Sequence, residues 1–574
     1  MNQTSNGLLF LVAGFLALTL SLPAYGSGMK EFETFRRHGV SPKIAVDAAV
    51  KPQTAGPQTD IKPEMTPAPK TGPEKIQFKR SFGILMHPTS LPGRYGIGDL
   101  GETAYKFVDY LKSCKASLWQ TLPIGPTGFG DSPYACFSAF AGNPLLISPD
   151  KLVDDGVLAA ADLKYVPNFP DGKVDFGLVI NYKRSLFNKA FANFQKMTGT
   201  ILYADYEKFR AENDVLWLED YAMFMALKEK NNGAVWSDWD IALVKREKNA
   251  IAKVKAELAD KIEFFKFLQF EFFKQWKDLK KYANDNGILI IGDIPIFVAY
   301  DGADAWVHPE IFCLDANGKP TVVAGVPPDF FSKTGQYWGN PLYNWSALRS
   351  SGFAWWIARF KNSLGLYDII RIDHFRGFEA YWEIPAAEKT AVNGKWVKAP
   401  GRELFAAIKK ALGTLPIISE DLGVITPEVE SLRDEFGFYG MKILQFGFSG
   451  NEGDSAKYLP HTFGTSHAVV YTGTHDNETT CGWYKNLPDK TRKFIREYSG
   501  SDGRHISRDL TRLAIASVCD IAIVPIQDVF GVDNSCRMNT PGTFGKNWGY
   551  RFKMKELKPE YAKMLRQMCE LYGR

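Results

Sequence analysis

Three short runs carry an acid where an apolar stretch stops: Arg371-Ile372-Asp373-His374, Ser419-Glu420-Asp421 and Thr474-His475-Asp476-Asn477. A carboxylate at such a place is costly unless something uses or pairs it. One such acid is explained by a helix cap or a salt bridge. Three on separate strands match the needs of glycosidic-bond chemistry: a nucleophilic carboxylate, an acid to protonate the leaving oxygen, and charge near the oxocarbenium-like transition state. Retaining enzymes hold the first two about 5 Å apart and inverting ones about 6.5–9.5 Å apart, to admit a water. That spacing belongs to the fold, so the residues alone leave both outcomes open. Arg371 lies two residues before Asp373, on the same face of a strand, where its charge would keep that carboxylate ionised.

The elements that must hold these acids follow from patterning. Eight short apolar runs end in polar or glycine-containing clusters: residues 82–90, 117–125, 287–298, 367–375, 415–423, 440–448, 467–477 and 520–531. Continuous apolar strands are buried on both faces, as in a parallel sheet covered by helices. Between them Ala104, Phe107, Val108 and Leu111 recur at helical spacing, as do Leu186, Phe187, Ala190, Phe191 and Phe194. Eight strands joined by helices predict an α/β fold, the (β/α)8 TIM barrel, whose strands place catalytic groups at their C-terminal ends. About 160 residues separate the second and third runs, far more than one crossover needs, so a mostly helical subdomain is expected at about 126–262. The Phe-rich stretch 264–283 reads as an amphipathic helix before the third strand, and the charged stretch 243–263 as a solvated helix face.

Outside the barrel, Leu8–Leu22 is an uncharged apolar run too short to span a bilayer comfortably, followed by an Ala-x-Gly site. Residues 1–28 thus read as a signal-peptide-like segment and suggest export, although no Lys or Arg precedes the run and Met29 offers an alternative, cytoplasmic start. Residues 29–80 form a linker rich in Pro, Thr and Lys, leaving 81–574 for the catalytic barrel. With 69 basic against 64 acidic residues and no basic run, the chain gives no sign of a nucleic-acid partner, and none at a membrane is expected once the leader is removed. The seven cysteines are scattered without a CxxC pair and the eight histidines show no paired spacing, so neither a disulfide framework nor a metal is expected. The 14 Trp, 24 Tyr and 41 Phe exceed the needs of a core and suit stacking on sugar rings.

Several strings then carry a resemblance. RIDHFRGF, SEDLG, THDN and GDIPIFV look like the four short motifs of the α-amylase clan. HPTSLPGRYGIGDLG (87–101), GDSPYACFSAFAGNPLLI (130–147), GVPPDFFSKTGQYWGNPLYNW (325–345) and RMNTPGT (537–543) resemble the amylomaltase family, glycoside hydrolase family 77, from about residue 82 onward. The resemblance implies that Asp373 is the nucleophile, Glu420 the acid/base and Asp476 the transition-state stabiliser, with no cofactor. It casts His374 and His475 as hydroxyl-binding partners on the donor side, where the alternative is a pair of strand-end caps. Tyr134 matches an aromatic that stacks on the donor sugar, where the alternative is a core residue. Asn539 would complete the donor end. Gln336 and Trp338, with Phe330, Phe331 and Tyr337, fall in a stretch that the resemblance makes a loop beside the acceptor sites. Asp293, read as ending the third strand, fits a hydrogen-bonding role in the site floor and substrate contact equally well.

Two departures bear on Asn539. Ser535 and Cys536 stand where the family carries an acid and Ala, and Tyr550 stands where it carries Trp. The implied reaction is transfer of α-1,4-glucan segments with retention, from maltooligosaccharides or linear α-1,4-glucans to the 4-hydroxyl of glucose or another glucan. An α-amylase-like hydrolase and a non-catalytic glucan-binding protein are the alternatives.

Overall fold

A computed structural model of the chain describes residues 76–328, 332–448, 455–543 and 545–574. The expected signal-like segment, nearly all of the expected linker, and Phe330 and Phe331 lie outside the described residues.

Each of the eight apolar runs contains a strand: β1 Ser81–Leu85, β2 Leu118–Gln120, β3 Leu289–Pro295, β4 Ile369–Asp373, β5 Ile417–Ser419, β6 Gly440–Ile443, β7 Ala468–Tyr471 and β8 Ile521–Pro525. They pair in parallel, β6 through β8 to β1 and on to β5. The remaining seam is joined at Tyr439, whose N–H donates to the Ile417 carbonyl (3.0 Å) and whose carbonyl accepts from Ser419 N–H (2.7 Å). The sheet thus closes into a (β/α)8 barrel. Ile290, Ile291, Ile370, Ile372, Val469, Val470 and Ile521 through Val524 are wholly buried, because helices cover one face and the other fills the barrel. Across that interior the Tyr471 hydroxyl of β7 donates to Gln120 Oε1 of β2 (2.9 Å). Gly292 has a local purpose: a Cβ there would lie 2.2 Å from the Tyr367 ring, which packs flat on β3 beside Asp293.

The connection from β2 to β3 holds the expected helical insertion, with helices Phe176–Phe194, Ile201–Asn213, Glu219–Lys230 and Lys248–Glu257. Residues 126–175, which include Tyr134, carry only short helices. The helix expected over 264–283 runs Ala259–Asp285. It is not amphipathic in its middle: Lys266, Gln269 and Glu271 are as buried as Phe264, Phe267 and Phe270. The reason is position, since this helix packs against the insertion helix Glu219–Lys230 on one side and the barrel helices on the other. Two of its buried polar groups are paired: Lys266 Nζ meets Asp214 (3.0 Å) and Glu219, and Gln269 clasps both the N–H and the carbonyl of Gly142 (2.8 and 2.9 Å).

The second correction concerns 325–345, expected as a loop. Much of it is strand: Val322–Val326 and Gln336–Pro341 pair antiparallel, and Val322–Val326 continues to Ala380–Pro385 and Lys395–Lys398, making a four-stranded sheet. Two of these strands follow β3 and two follow β4, so the pairing is long-range and local patterning does not reveal it. Among the described residues no helix is long and apolar enough to cross a membrane.

Candidate active site

The acids gather where the barrel strands end. Asp373 is the last residue of β4, Glu420 follows the last residue of β5, and Asp476 lies in the turn after β7. Asp293 is not a strand end: β3 continues through Pro295, and the register sets Asp293 beside Arg371 and Pro295 beside Asp373. Alternation along β4 puts Arg371 and Asp373 on one face.

Arg371 is shared. Its Nη1 donates to Asp293 Oδ2 (2.6 Å) and to Asp373 Oδ1 (3.0 Å). Burial works against its charge, but the two carboxylates outweigh that and hold the guanidinium firmly protonated. Asp293 Oδ2 also accepts from the Tyr134 hydroxyl (2.8 Å), while Oδ1 is buried and finds no partner among the described residues. Burial, aided by the Asp373 charge and opposed by Arg371, leaves the Asp293 carboxyl above its ordinary value. Its side chain is fully covered.

Glu420 is fixed by two backbone amides: His374 N–H donates to Oε2 (2.8 Å) and Leu422 N–H to Oε1 (3.1 Å). Burial and the neighbouring Asp373 charge push its carboxyl up to about 8, against the pull of Arg371 and of the His374 amide. The His374 backbone is left-handed, φ 50° and ψ 50°. Burial lowers its ring to about 4, so the imidazole is neutral, and Nε2 has no partner among the described residues. Trp338 meets that ring edge to face at 4.9 Å and donates its indole N–H to Gln336 Oε1 (3.1 Å). Trp338 is 38% exposed, which leaves ring surface open to a ligand. Among the described residues Gln336 joins the site through Trp338.

The other wall centres on Asp476. Asn539 Nδ2 donates to its Oδ1 (2.6 Å), His475 Nε2 lies 3.3 Å from the same oxygen, and Arg537 Nη2 donates to its main-chain carbonyl (2.5 Å). Tyr134 stacks on His475, centroids 5.1 Å apart and 13° from parallel, and so links the two walls. At the departures, Ser535 bonds to Asp533 (2.6 Å), Cys536 gives its carbonyl to Gln527, and Tyr550 is buried.

Residue patterns did not single out Arg537, Trp548 or His87. Arg537 donates to the carbonyls of both Asp476 and Asn539 (2.5 and 2.6 Å), and Trp548 packs against Tyr134 and His475 (5.7 and 6.0 Å). His87 follows β1 and lines, with His475, Asn477 and Arg537, a small pocket beside Asp476. Burial, aided by His475, lowers its ring to about 3. Its place in the polar end of the first run, just past the strand, was the available signal, since strand ends are where a barrel collects chemistry.

The family model described as 4-alpha-glucanotransferase, glycoside hydrolase family 77, matches residues 86–556. The chain belongs to that family. A 4-alpha-glucanotransferase of Synechocystis is 50% identical over 86% of this chain and 98% of its own length, and one of Thermus thermophilus 49% identical over 86% and 99%. Among solved structures, the amylomaltase of Streptococcus agalactiae in complex with acarbose superposes with a TM-score of 0.84 at 41% identity, covering 86% of this chain and all of that one. The amylomaltase of Corynebacterium glutamicum, at 19% identity and a TM-score of 0.67 over 85% of this chain and 75% of its own, shares the fold.

Proposed function

We propose that this 4-alpha-glucanotransferase works with retention, through a covalent intermediate on Asp373, with Glu420 as acid/base and Asp476 as transition-state stabiliser. The substrates are maltooligosaccharides and linear α-1,4-glucans as donors, and glucose or another glucan as acceptor. The observation that carries the roles is the contrast between two neighbouring carboxyls: Asp373 on the Arg371 guanidinium, and Glu420 pushed up to about 8.

In the first half-reaction Asp373 attacks the anomeric carbon while Glu420 gives its proton to the leaving 4-oxygen. Forming the ester removes the Asp373 charge, which is one of the two main causes holding Glu420 protonated. The Glu420 carboxyl then falls toward its ordinary value and becomes the base that accepts the proton of the acceptor 4-hydroxyl. Asn539 holds Asp476 for contact with sugar hydroxyls, with Tyr134, His374 and His475 around the donor. Asp293 and Arg371 keep the nucleophile in place from below, and Trp338, oriented by Gln336, offers an apolar wall where an acceptor glucan would keep water from the intermediate.

Incubation with maltotriose tests the reading: a ladder of longer oligosaccharides with released glucose is expected, and only shorter products would make the protein a hydrolase. Asp373→Asn should abolish turnover while leaving glucan binding, and undiminished turnover would remove Asp373 from its role. The proposed catalytic unit is 81–574, with an inserted subdomain at about 126–262. Export rests on the Leu8–Leu22 run, and N-terminal sequencing of the protein from its native cell checks it.

A further inference from the structure

Asp373 and Glu420 sit on different strands, so something must set one against the other. Three hydrogen bonds from the main chain of β4 and the turn after it meet at residue 420. Its carboxylate accepts from His374 N–H (2.8 Å), its carbonyl accepts from Phe375 N–H (3.1 Å), and its own N–H donates to the Ile372 carbonyl (2.9 Å). Successive N–H groups converge on one partner only when the residue that joins them has helical-type φ and ψ, since extended backbone points them to opposite sides. His374 has that conformation in its left-handed form, which side chains other than Asn, Asp and His seldom adopt. Its ring has room because residue 377 is Gly: a Cβ there would come within 3.1 Å of His374 Cδ2 and 2.8 Å of Ile296 Cδ1. Among the described residues the ring makes no hydrogen bond to Glu420, and its Nε2 is unpartnered.

We propose that His374 is the positioning residue for the acid/base, and that it acts through its left-handed backbone: the turn after β4 aims the His374 amide at Glu420 and fixes that carboxyl beside Asp373. This rests on the reading of Glu420 as acid/base. The charged and titratable groups facing Glu420 are Asp373, Arg371 and Asp421, and the His374 ring answers instead to Asp373 and Arg376.

The test separates backbone from imidazole. His374→Gly, His374→Asn and His374→Val all lose the ring, but Gly and Asn accept the left-handed conformation and Val resists it. Initial rates are measured against pH on maltotriose and on α-maltosyl fluoride, whose leaving group needs no proton. Gly and Asn are expected within about ten-fold of each other in kcat on maltotriose, with the alkaline limb unmoved between them. Val is expected to lose a further factor on the order of 100 on maltotriose, as misplaced catalytic groups do, and much less on the fluoride. Its alkaline limb should rise by about one pH unit, because the ionised carboxylate has lost a donor. If Val matches Gly in both the limb and the leaving-group dependence, the proposal is overturned. It is equally overturned if Asn is active and Gly as poor as Val, which would assign the role to a side-chain hydrogen bond. Should Val give no thermal transition, His374→Ala replaces it with the same ranking at smaller amplitude. Glu420→Gln keeps the two failures apart: normal turnover of maltotriose by that variant refutes the acid/base reading itself, whereas an inactive Glu420→Gln with Val equal to Gly refutes only the role of His374.

Discussion

Arg371 serves Asp293 and Asp373 with one nitrogen, and the consequence reaches Glu420 through the Asp373 charge. With the Glu420 carboxyl pushed up to about 8, kcat/KM for maltotriose should fall as pH rises through about 8, and a rate profile checks it. Asp373→Asn, whether or not it turns over, should bring the Glu420 carboxyl down toward the ordinary range, followed by carbon-13 chemical shifts of labelled glutamate. The sign for stability runs the other way from a salt-bridged acid: the folded state holds a proton that the unfolded chain releases above about pH 4.3, so the contribution of Glu420 to stability is lost between about pH 4.3 and 8. Glu420→Gln should therefore stabilise the fold at pH 9 relative to the parent chain, on the order of 1 kcal/mol, read as a higher melting temperature. At this scale the sequence was generous. Asp373, Glu420 and Asp476 could be found from apolar runs that stop at an acid, and Arg371 from alternation. Arg537 could not, because its work is done on main-chain carbonyls that no residue pattern marks.

The elements divide along the same line. The barrel strands were legible because each is a local run buried on both faces. The small sheet around Trp338 was not, since Val322–Val326 finds its partner Ala380–Pro385 in a different strand-to-helix connection. The helix Ala259–Asp285 misled by its Phe spacing, because charged side chains on its remaining faces are buried as well. Lys266 there is nearly sealed, against Asp214 and Glu219. Lys266→Met should cost only about 1 kcal/mol, because Glu219 keeps Lys255 (2.8 Å) and Asp214 keeps Arg210 (3.4 Å), seen in denaturant unfolding. Arg537→Met should lower kcat on the order of 100-fold by freeing the turn that carries Asp476, with little change in melting temperature.

Across the whole molecule, closure of the barrel brings its first and last strands together, and two arginines tie that seam from below. Arg574 donates to the carbonyls of Ser81, Asp520, Ile515 and Cys519, and Arg80 to those of Tyr572 and Ile515. Arg574→Ala should cost about 3 kcal/mol, since several buried carbonyls lose their donors. Lys at that position should not restore it, lacking the planar fork. Thermal denaturation of the two variants checks both statements.

The four-stranded sheet has a consequence for anyone who would recombine relatives of this chain. Its wall over the barrel mouth is written in two separate stretches of sequence, so a graft that exchanges 322–341 alone would carry one half of a pairing into a host that keeps the other. A graft that keeps the sheet whole moves 322–398 as one block, Asp373 and His374 included, so the wall and those two residues are inherited together.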